Sequence, residues 1–258
     1  MHVLVITDIE GICGVDSIDM IDESTAGYCR AREYLMADTN AAIDGAFSAG
    51  ADAVTVVDGH GSGENFIPDL LDARASRLGA KEFSKNAPLG YDALICIGAH
   101  AMAGTEGAFL DHTQSSQKWF EYCINNTPCG ELAQQGYCLG FFGTPLVMVS
   151  GDTAACREAL ALVPHLATAP IKEANGRNHA QSLPQSQAHE MIRAAAKDGV
   201  LRAHRIAPCI LPLPARVSIT FTRCDYCDAA MHEGLQRNGR TLSKTVKSIS
   251  CYRDLVKL

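Results

Sequence analysis

The chain has 258 residues, 47% of them hydrophobic, with 29 acidic and 22 basic residues and a formal net charge of −7. That length and apolar content suffice to bury a core without disulfides or a structural metal. No basic run is dense enough to follow a phosphate backbone and no apolar stretch is long enough to cross a bilayer, so neither a nucleic-acid nor a membrane partner is expected.

The first apolar run, Val3 to Ile6, has the branched residues of a strand buried on both faces. It ends in Asp8-Ile9-Glu10-Gly11. These carboxylates interrupt the run too early for a signal peptide, so a cytoplasmic location is expected. A helix follows from about Tyr28 to Ala49, stopped by Gly50. A second strand, Ala53–Val57, ends in Asp58-Gly59-His60-Gly61. Strand, helix and strand of these lengths predict a right-handed βαβ unit. A short helix or turn is expected over Pro68–Arg77, then a third buried strand, Ala93–Ile97, ending in Gly98-Ala99-His100. A long connection from Thr105 to Asn126 carries His112, and loops of that length in a compact domain are often functional. Asn125-Asn126-Thr127-Pro128 is turn chemistry. Gly130-Glu131 opens a helix to about Phe142, Thr144–Ser150 is a fourth strand, and Asp152 reads as the N-cap of a helix to Leu162.

Beyond about residue 165 the pattern changes. A strand-like piece, Ala167–Lys172, precedes a helix over Pro184–Asp198 that Gly199 should stop. Val217–Phe221 alternates as a half-buried antiparallel strand does, and Leu242–Val256 reads as strand then helix. The fold class is therefore α/β, a mostly parallel central sheet flanked by helices, with a smaller C-terminal α+β domain. The expected division is 1–165 for the metal-binding domain and 166–258 for the smaller one. Eleven scattered cysteines read as small buried hydrophobes in a reducing compartment. Cys224 and Cys227 form the one C-x-x-C, without the second pair a zinc ribbon needs.

Three early strands end in ionisable residues, and the carboxyl ends of parallel strands share one sheet edge, where open α/β sheets bind ligands. Asp8, Glu10, Asp58, His60 and His100 should converge there, with Glu131 joining from a helix start. Asp8 and Glu10 alternate on one side of an extended chain, and a divalent cation offsets their repulsion. Carboxylate and imidazole donors suit a borderline metal, and two ions with one bridging carboxylate suit hydrolysis. Asp58 is either a turn-former or an acceptor for a ligand histidine. His165, His179, His189, His204 and His232 fall outside this set and read as structural.

Several segments together resemble the zinc-dependent D-aminopeptidase family. They are Asp8-Ile9-Glu10-Gly11, Val57-Asp58-Gly59-His60-Gly61, Gly98-Ala99-His100-Ala101, Asp111-His112-Thr113, Gly130-Glu131-Leu132 and Val147–Asp152. Lys172 and Gly176-Arg177 match more loosely, and Thr7 stands where the family usually has serine. The resemblance implies two zinc ions per subunit, with Asp8 bridging, Glu10 and His60 on one ion, and His100 and Glu131 on the other. It implies that His112 acts in catalysis, and that the chain assembles as a homodecamer enclosing its active sites.

The leading expectation is a zinc metallopeptidase. It would remove the N-terminal residue of short peptides or aminoacyl amides, including D-residues, by a water activated at the two zinc ions. Hydrolysis of another small amide or a phosphate ester is one alternative. A non-catalytic metal- or small-molecule-binding module is the other.

Overall fold

The structure is a computed structural model describing residues 1–258. In chain order its strands are β1 (His2–Thr7), β2 (Ala53–Asp58), β3 (Ser76–Leu78), β4 (Ala93–Ala99), β5 (Trp119–Ile124), β6 (Thr127–Pro128), β7 (Leu146–Asp152), β8 (Ala167–Gly176), β9 (His179–Ser182), β10 (Ala215–Phe221), β11 (Gln236–Asn238) and β12 (Thr241–Val246). The helices are α1 (Ala26–Ser48), α2 (Ala80–Lys85), α3 (Glu131–Phe141), α4 (Thr153–Leu162), α5 (Gln185–Arg202), α6 (Cys224–Ala230) and α7 (Arg253–Val256).

The larger sheet runs β3-β2-β1-β4-β7-β8-β9, parallel except for β9, which returns antiparallel to β8. This is the doubly wound order: the chain moves outward from β1 through β2 to β3, then jumps back to β4 on the other side of β1. Right-handed crossovers in opposite directions put helices on opposite faces. Accordingly α1 packs on α5, so closely that a Cβ at Gly45 would lie 2.4 Å from Arg193 O, while α3 and α4 pack against β4, β7 and β8. Val3, Leu4 and Val5 have no exposed surface, as a strand covered on both faces requires. Burying each such side chain contributes about 1.5–3 kcal/mol. The reversal of direction leaves a crevice beyond the carboxyl ends of β1 and β4, where ligands of such sheets bind.

The smaller sheet is antiparallel, in the order β11-β12-β10-β5-β6. Residues 1–165 contribute β5 and β6 to it, and residues 166–258 contribute β8 and β9 to the larger sheet. The alternation over Val217–Phe221 is matched by β10, which pairs antiparallel with both β5 and β12. No helix is long and apolar enough to cross a membrane.

Three local expectations need correction. The connection after His100 is not one long loop, because Trp119–Ile124 forms β5 against β10, with Asn125 and Asn126 in left-handed conformation at the hairpin turn. Helix α5 runs through Gly199 to Arg202. The missing side chain serves packing there, since a Cβ would stand 2.6 Å from Val147 O. Finally, β8 continues past Lys172 to Gly176, because hairpin pairing with β9 takes over where the parallel ladder with β7 ends.

Candidate metal centre

The loop after β1 reaches the end of β4 through backbone contact. Asp8 N donates to Ile97 O (2.8 Å) and Gly11 N to Gly98 O (2.8 Å). Two glycines make this approach feasible. A Cβ at Gly11 would sit 2.2 Å from Ala99 O, and one at Gly98, whose φ is +71°, would sit 2.3 Å from Asp8 O. Asp8 and Glu10 are thereby carried to the foot of His100.

His60 arrives from β2. Gly59 N donates to Thr7 O (2.8 Å), which seats the β2 loop on the end of β1. The buried Asp58 carboxylate organises that loop, accepting from His60 N (3.3 Å), Asn65 N (2.5 Å), Asn65 Nδ2 (3.0 Å) and Phe66 N (3.3 Å). Of its two expected roles, Asp58 therefore takes that of turn-former. Glu131 stands in the first turn of α3, and its Oε1 accepts from Gln114 N at 2.7 Å.

The side chains meet closely. His60 Nδ1 lies 2.9 Å from Asp8 Oδ1 and 3.1 Å from Glu10 Oε2. His100 Nε2 lies 3.3 Å from Asp8 Oδ2 and 3.4 Å from Glu131 Oε1. One oxygen of Asp8 thus faces each histidine. His112 stacks on His100 with ring centroids 3.9 Å apart, and its Nε2 is 3.9 Å from both Glu10 Oε1 and Glu131 Oε1. Asp8, Glu10, His60, His100, His112 and Glu131 are all brought together. His165, His179, His189, His204 and His232 make none of these contacts.

Protonation follows from the partners. His100 Nδ1 is 3.0 Å from Ala101 O and His112 Nδ1 is 2.8 Å from Leu110 O. A carbonyl only accepts, so the proton of each neutral ring sits on Nδ1 and the Nε2 lone pair faces the centre. Burial opposes ionisation of Glu10, but His60, His100 and His112 outweigh it and hold its carboxyl well below the usual range. Burial likewise opposes the charged forms of His60 and His100, yet Glu10 and Asp8 raise the first well above its ordinary value, and Asp8 and Glu131 raise the second. Glu131, against its own burial, is lowered by His100. Two buried atoms at the centre, Glu10 Oε2 and His100 Nε2, make no hydrogen bond, although His60 Nδ1 stands 3.1 Å from the first and Asp8 Oδ2 3.3 Å from the second. These two orphaned atoms, within a set of carboxylates and imidazoles that converges from four chain segments, fit a divalent cation such as zinc. His100, His112 and Glu131 can also offer three ligand atoms within 4.8 Å of one another, as can Asp8, Glu10 and His100.

His112 sits in a strained loop. Leu110 (φ +52°) and Gln114 (φ +61°) are left-handed on either side of it, at a cost of about 1–2 kcal/mol each. The loop is tied down by His112 N to Ala101 O (3.2 Å), Leu110 N to Arg177 O (2.7 Å) and an Arg177–Asp111 ion pair (2.8 Å). Phe109 N donates to Asp152, which also caps α4 as its position in the sequence predicts.

Sequence reasoning gave Lys172 and Arg177 only a family likeness. Lys172 is buried, and its ammonium donates to Glu10 O (2.9 Å) and to Val15 O. The available signal was a lysine in the apolar run Ala169-Pro170-Ile171-Lys172. Cys224 and Cys227 are both free thiols in α6, Cys224 exposed at its first residue and Cys227 buried in its middle.

A cavity of about 350 Å³ opens over the cluster, lined by Asp8, Glu10, His60, His112 and Glu131 among others. The solved structure of the Zn-dependent D-aminopeptidase DppA from Bacillus subtilis, a self-compartmentalizing protease, superimposes with a TM-score of 0.93. It is 24% identical, over 99% of this chain and 96% of that one. A D-aminopeptidase of Bacillus subtilis (strain 168) is 28% identical over 225 residues, 86% of this chain and 81% of the relative. The family model described as D-aminopeptidase matches residues 1–256, a span that takes in every strand end converging on the cavity, and the chain accordingly belongs to the D-aminopeptidase family.

Proposed function

We propose that this chain is a two-zinc aminopeptidase that removes the N-terminal residue, including a D-residue, from short peptides or aminoacyl amides. The observation that carries the reading is the split of Asp8, with Oδ1 facing His60 and Oδ2 facing His100. Such an arrangement suits a bridging carboxylate, leaving Glu10 with His60 for one ion and Glu131 with His100 for the other. Bound zinc would lower the pKa of a water molecule and polarise the scissile carbonyl.

The chain's own groups supply the rest. Glu10 and Glu131, both held ionised, offer negative charge to a free amino terminus. His112 presents an Nε2 lone pair across the cavity, fixed by its Nδ1 contact to Leu110 O and by stacking on His100. It is placed to take a proton on Nε2 and return it to the leaving amine, or, once protonated, to stabilise the oxyanion. The strained loop holds the ring in one pose before substrate arrives, which limits the ordering cost during reaction.

Assembly into a homodecamer that encloses the sites belongs to the same reading. It is supported by the self-compartmentalizing relative and by exposed apolar side chains such as Phe120 and Ile210. The test is a panel of D- and L-aminoacyl amides beside an aryl phosphate, with zinc measured by elemental analysis and particle mass by light scattering. The proposal expects about two zinc per chain, cleavage of the amides and none of the phosphate. It expects His112→Ala to abolish turnover while keeping its zinc. A variant that stays fully active, or one that loses half its metal, refutes the assigned role of His112.

A further inference from the structure

We propose that Arg177 receives the C-terminal carboxylate of the substrate, so that a peptide with a free C-terminus is preferred over its amide. This deepens the peptidase reading and rests on it. Arg177 is the only lysine or arginine lining the cavity over the cluster. The other charged groups in that lining are the carboxylates and histidines of the metal centre. The cavity wall therefore combines the carboxylates and histidines of the metal centre with a single fixed cation. A short peptide carries the matching pair, an amine at one end and a carboxylate at the other.

The guanidinium is held in place by its own contacts. Nε pairs with Asp111 Oδ1 (2.8 Å), Nη2 donates to Asp111 O (2.9 Å), and Nη1 donates to Asn178 Oδ1 (3.2 Å). Of the five N–H groups of an arginine, this leaves about two free, one on each terminal nitrogen. A fixed fork with free donors on both terminal nitrogens suits a carboxylate and loses little side-chain freedom on binding. The side chain is 51% exposed, so it is open to a ligand. Arg177 is tied to Asp111, which directly precedes His112, and both Arg177 and His112 line this one cavity. An extended dipeptide spans roughly 7 Å, and the cavity volume of about 350 Å³ is near the low end for small-molecule clefts. Ile18, Ile21 and Leu110 supply apolar lining for a side chain.

The rival role is that of an anchor for the Asp111–His112 loop alone. An anchor affects all substrates equally, whereas a carboxylate site separates a free acid from its amide. The test compares alanyl-alanine with alanyl-alanine amide, in the D,D and L,L series, on zinc-loaded enzyme. The wild type should favour the acid roughly tenfold through KM, the low end for a hydrogen bond to a charged group at a half-exposed site. Arg177→Gln should bring the acid-to-amide ratio to about one, and Arg177→Lys should restore part of it. An equal preference in wild type and Arg177→Gln overturns the proposal. So does a fall in kcat that is the same for acid and amide while their KM ratio stays at the wild-type value. Should the loaded wild type cleave neither peptide, the peptidase reading fails, and calorimetry with the reduced-bond analogue of the dipeptide and its amide decides Arg177 separately. Tighter binding of the acid that Arg177→Gln abolishes supports the site; equal binding of acid and amide overturns it.

Discussion

Replacing Gly11 with alanine tests how the metal centre is assembled. The new Cβ would stand 2.2 Å from Ala99 O and 2.4 Å from Gly98 C, both backbone atoms of the β4 end that carries His100. Real Cβ contacts do not come closer than 3.0 Å, so the two segments must separate by about 0.8 Å. Metal–ligand distances tolerate only about 0.2 Å. The displacement falls between Glu10, one residue before the substitution, and His100, one residue after Ala99. Overpacking costs roughly 1–3 kcal/mol of stability, whereas zinc affinity should fall by roughly 10–100-fold or more, as when the support of a ligand is lost. Gly79→Ala is the control: its φ is −67° and nothing lies within 4 Å of the added Cβ. Competition with a chromophoric chelator measures zinc affinity, and thermal unfolding followed by circular dichroism measures stability. A Gly11→Ala protein that binds zinc as tightly as the wild type would refute the claim that this backbone contact sets the ligand positions.

Further outcomes follow from the same geometry. In the metal-free protein His60 and His100 are held well above their ordinary range by Glu10, Asp8 and Glu131, so both carry protons at neutral pH. Zinc loading should then release about two protons at pH 7, read from calorimetry in buffers of different ionisation enthalpy; loading without release contradicts it. A histidine raised on folding adds stability that is complete below about pH 6.5 and lost as pH climbs through the raised value. The metal-free protein should therefore lose stability on going from mildly acid to alkaline pH, and zinc should reverse that trend. Lys172→Met removes two donors to backbone carbonyls, worth roughly 1.5–3 kcal/mol each. It also removes an ammonium that burial pushes down to about 8, a cost of about 3 kcal/mol. Net destabilisation of roughly 0–3 kcal/mol is expected in urea unfolding, with zinc affinity clearly weakened because Glu10 loses its backbone anchor; unchanged affinity would discard the anchoring role. Asp58→Ala leaves the N–H groups of His60, Asn65 and Phe66 without their acceptor and should cost roughly 2–4 kcal/mol, with weaker zinc binding through His60; a loss under 1 kcal/mol would show that the loop holds without it.

The strands that carry the centre were legible for a simple reason. A parallel strand covered on both faces is an uninterrupted apolar run, so β1, β2 and β4 stand out, and the polar residues that end them are conspicuous. Strand β5 was not legible. Its pairing partner β10 begins beyond residue 214, and no local signal announces a ladder between segments so far apart. Gly199 shows the opposite error. A glycine near the end of an amphipathic run reads as a stop, but here its lack of a side chain lets α5 lie against Val147 O.

The sequence alone determined which residues end the buried strands, and with them the donor atoms available at one sheet edge: Asp8, Glu10, His60 and His100. That much is local, because strand burial and chain direction follow from the residues themselves. Tertiary structure decided how the donors divide, with one oxygen of Asp8 toward each histidine, and how the rings are oriented by Ala101 O and Leu110 O. It also decided that Lys172 and Arg177 belong to the site. Those two arrive only because β8 crosses beside β7 and turns back through β9, and a cation's value depends on which carboxylates and carbonyls it ends up facing. Distances between segments far apart in the chain are set by the packing of the whole sheet, which no short stretch of residues encodes.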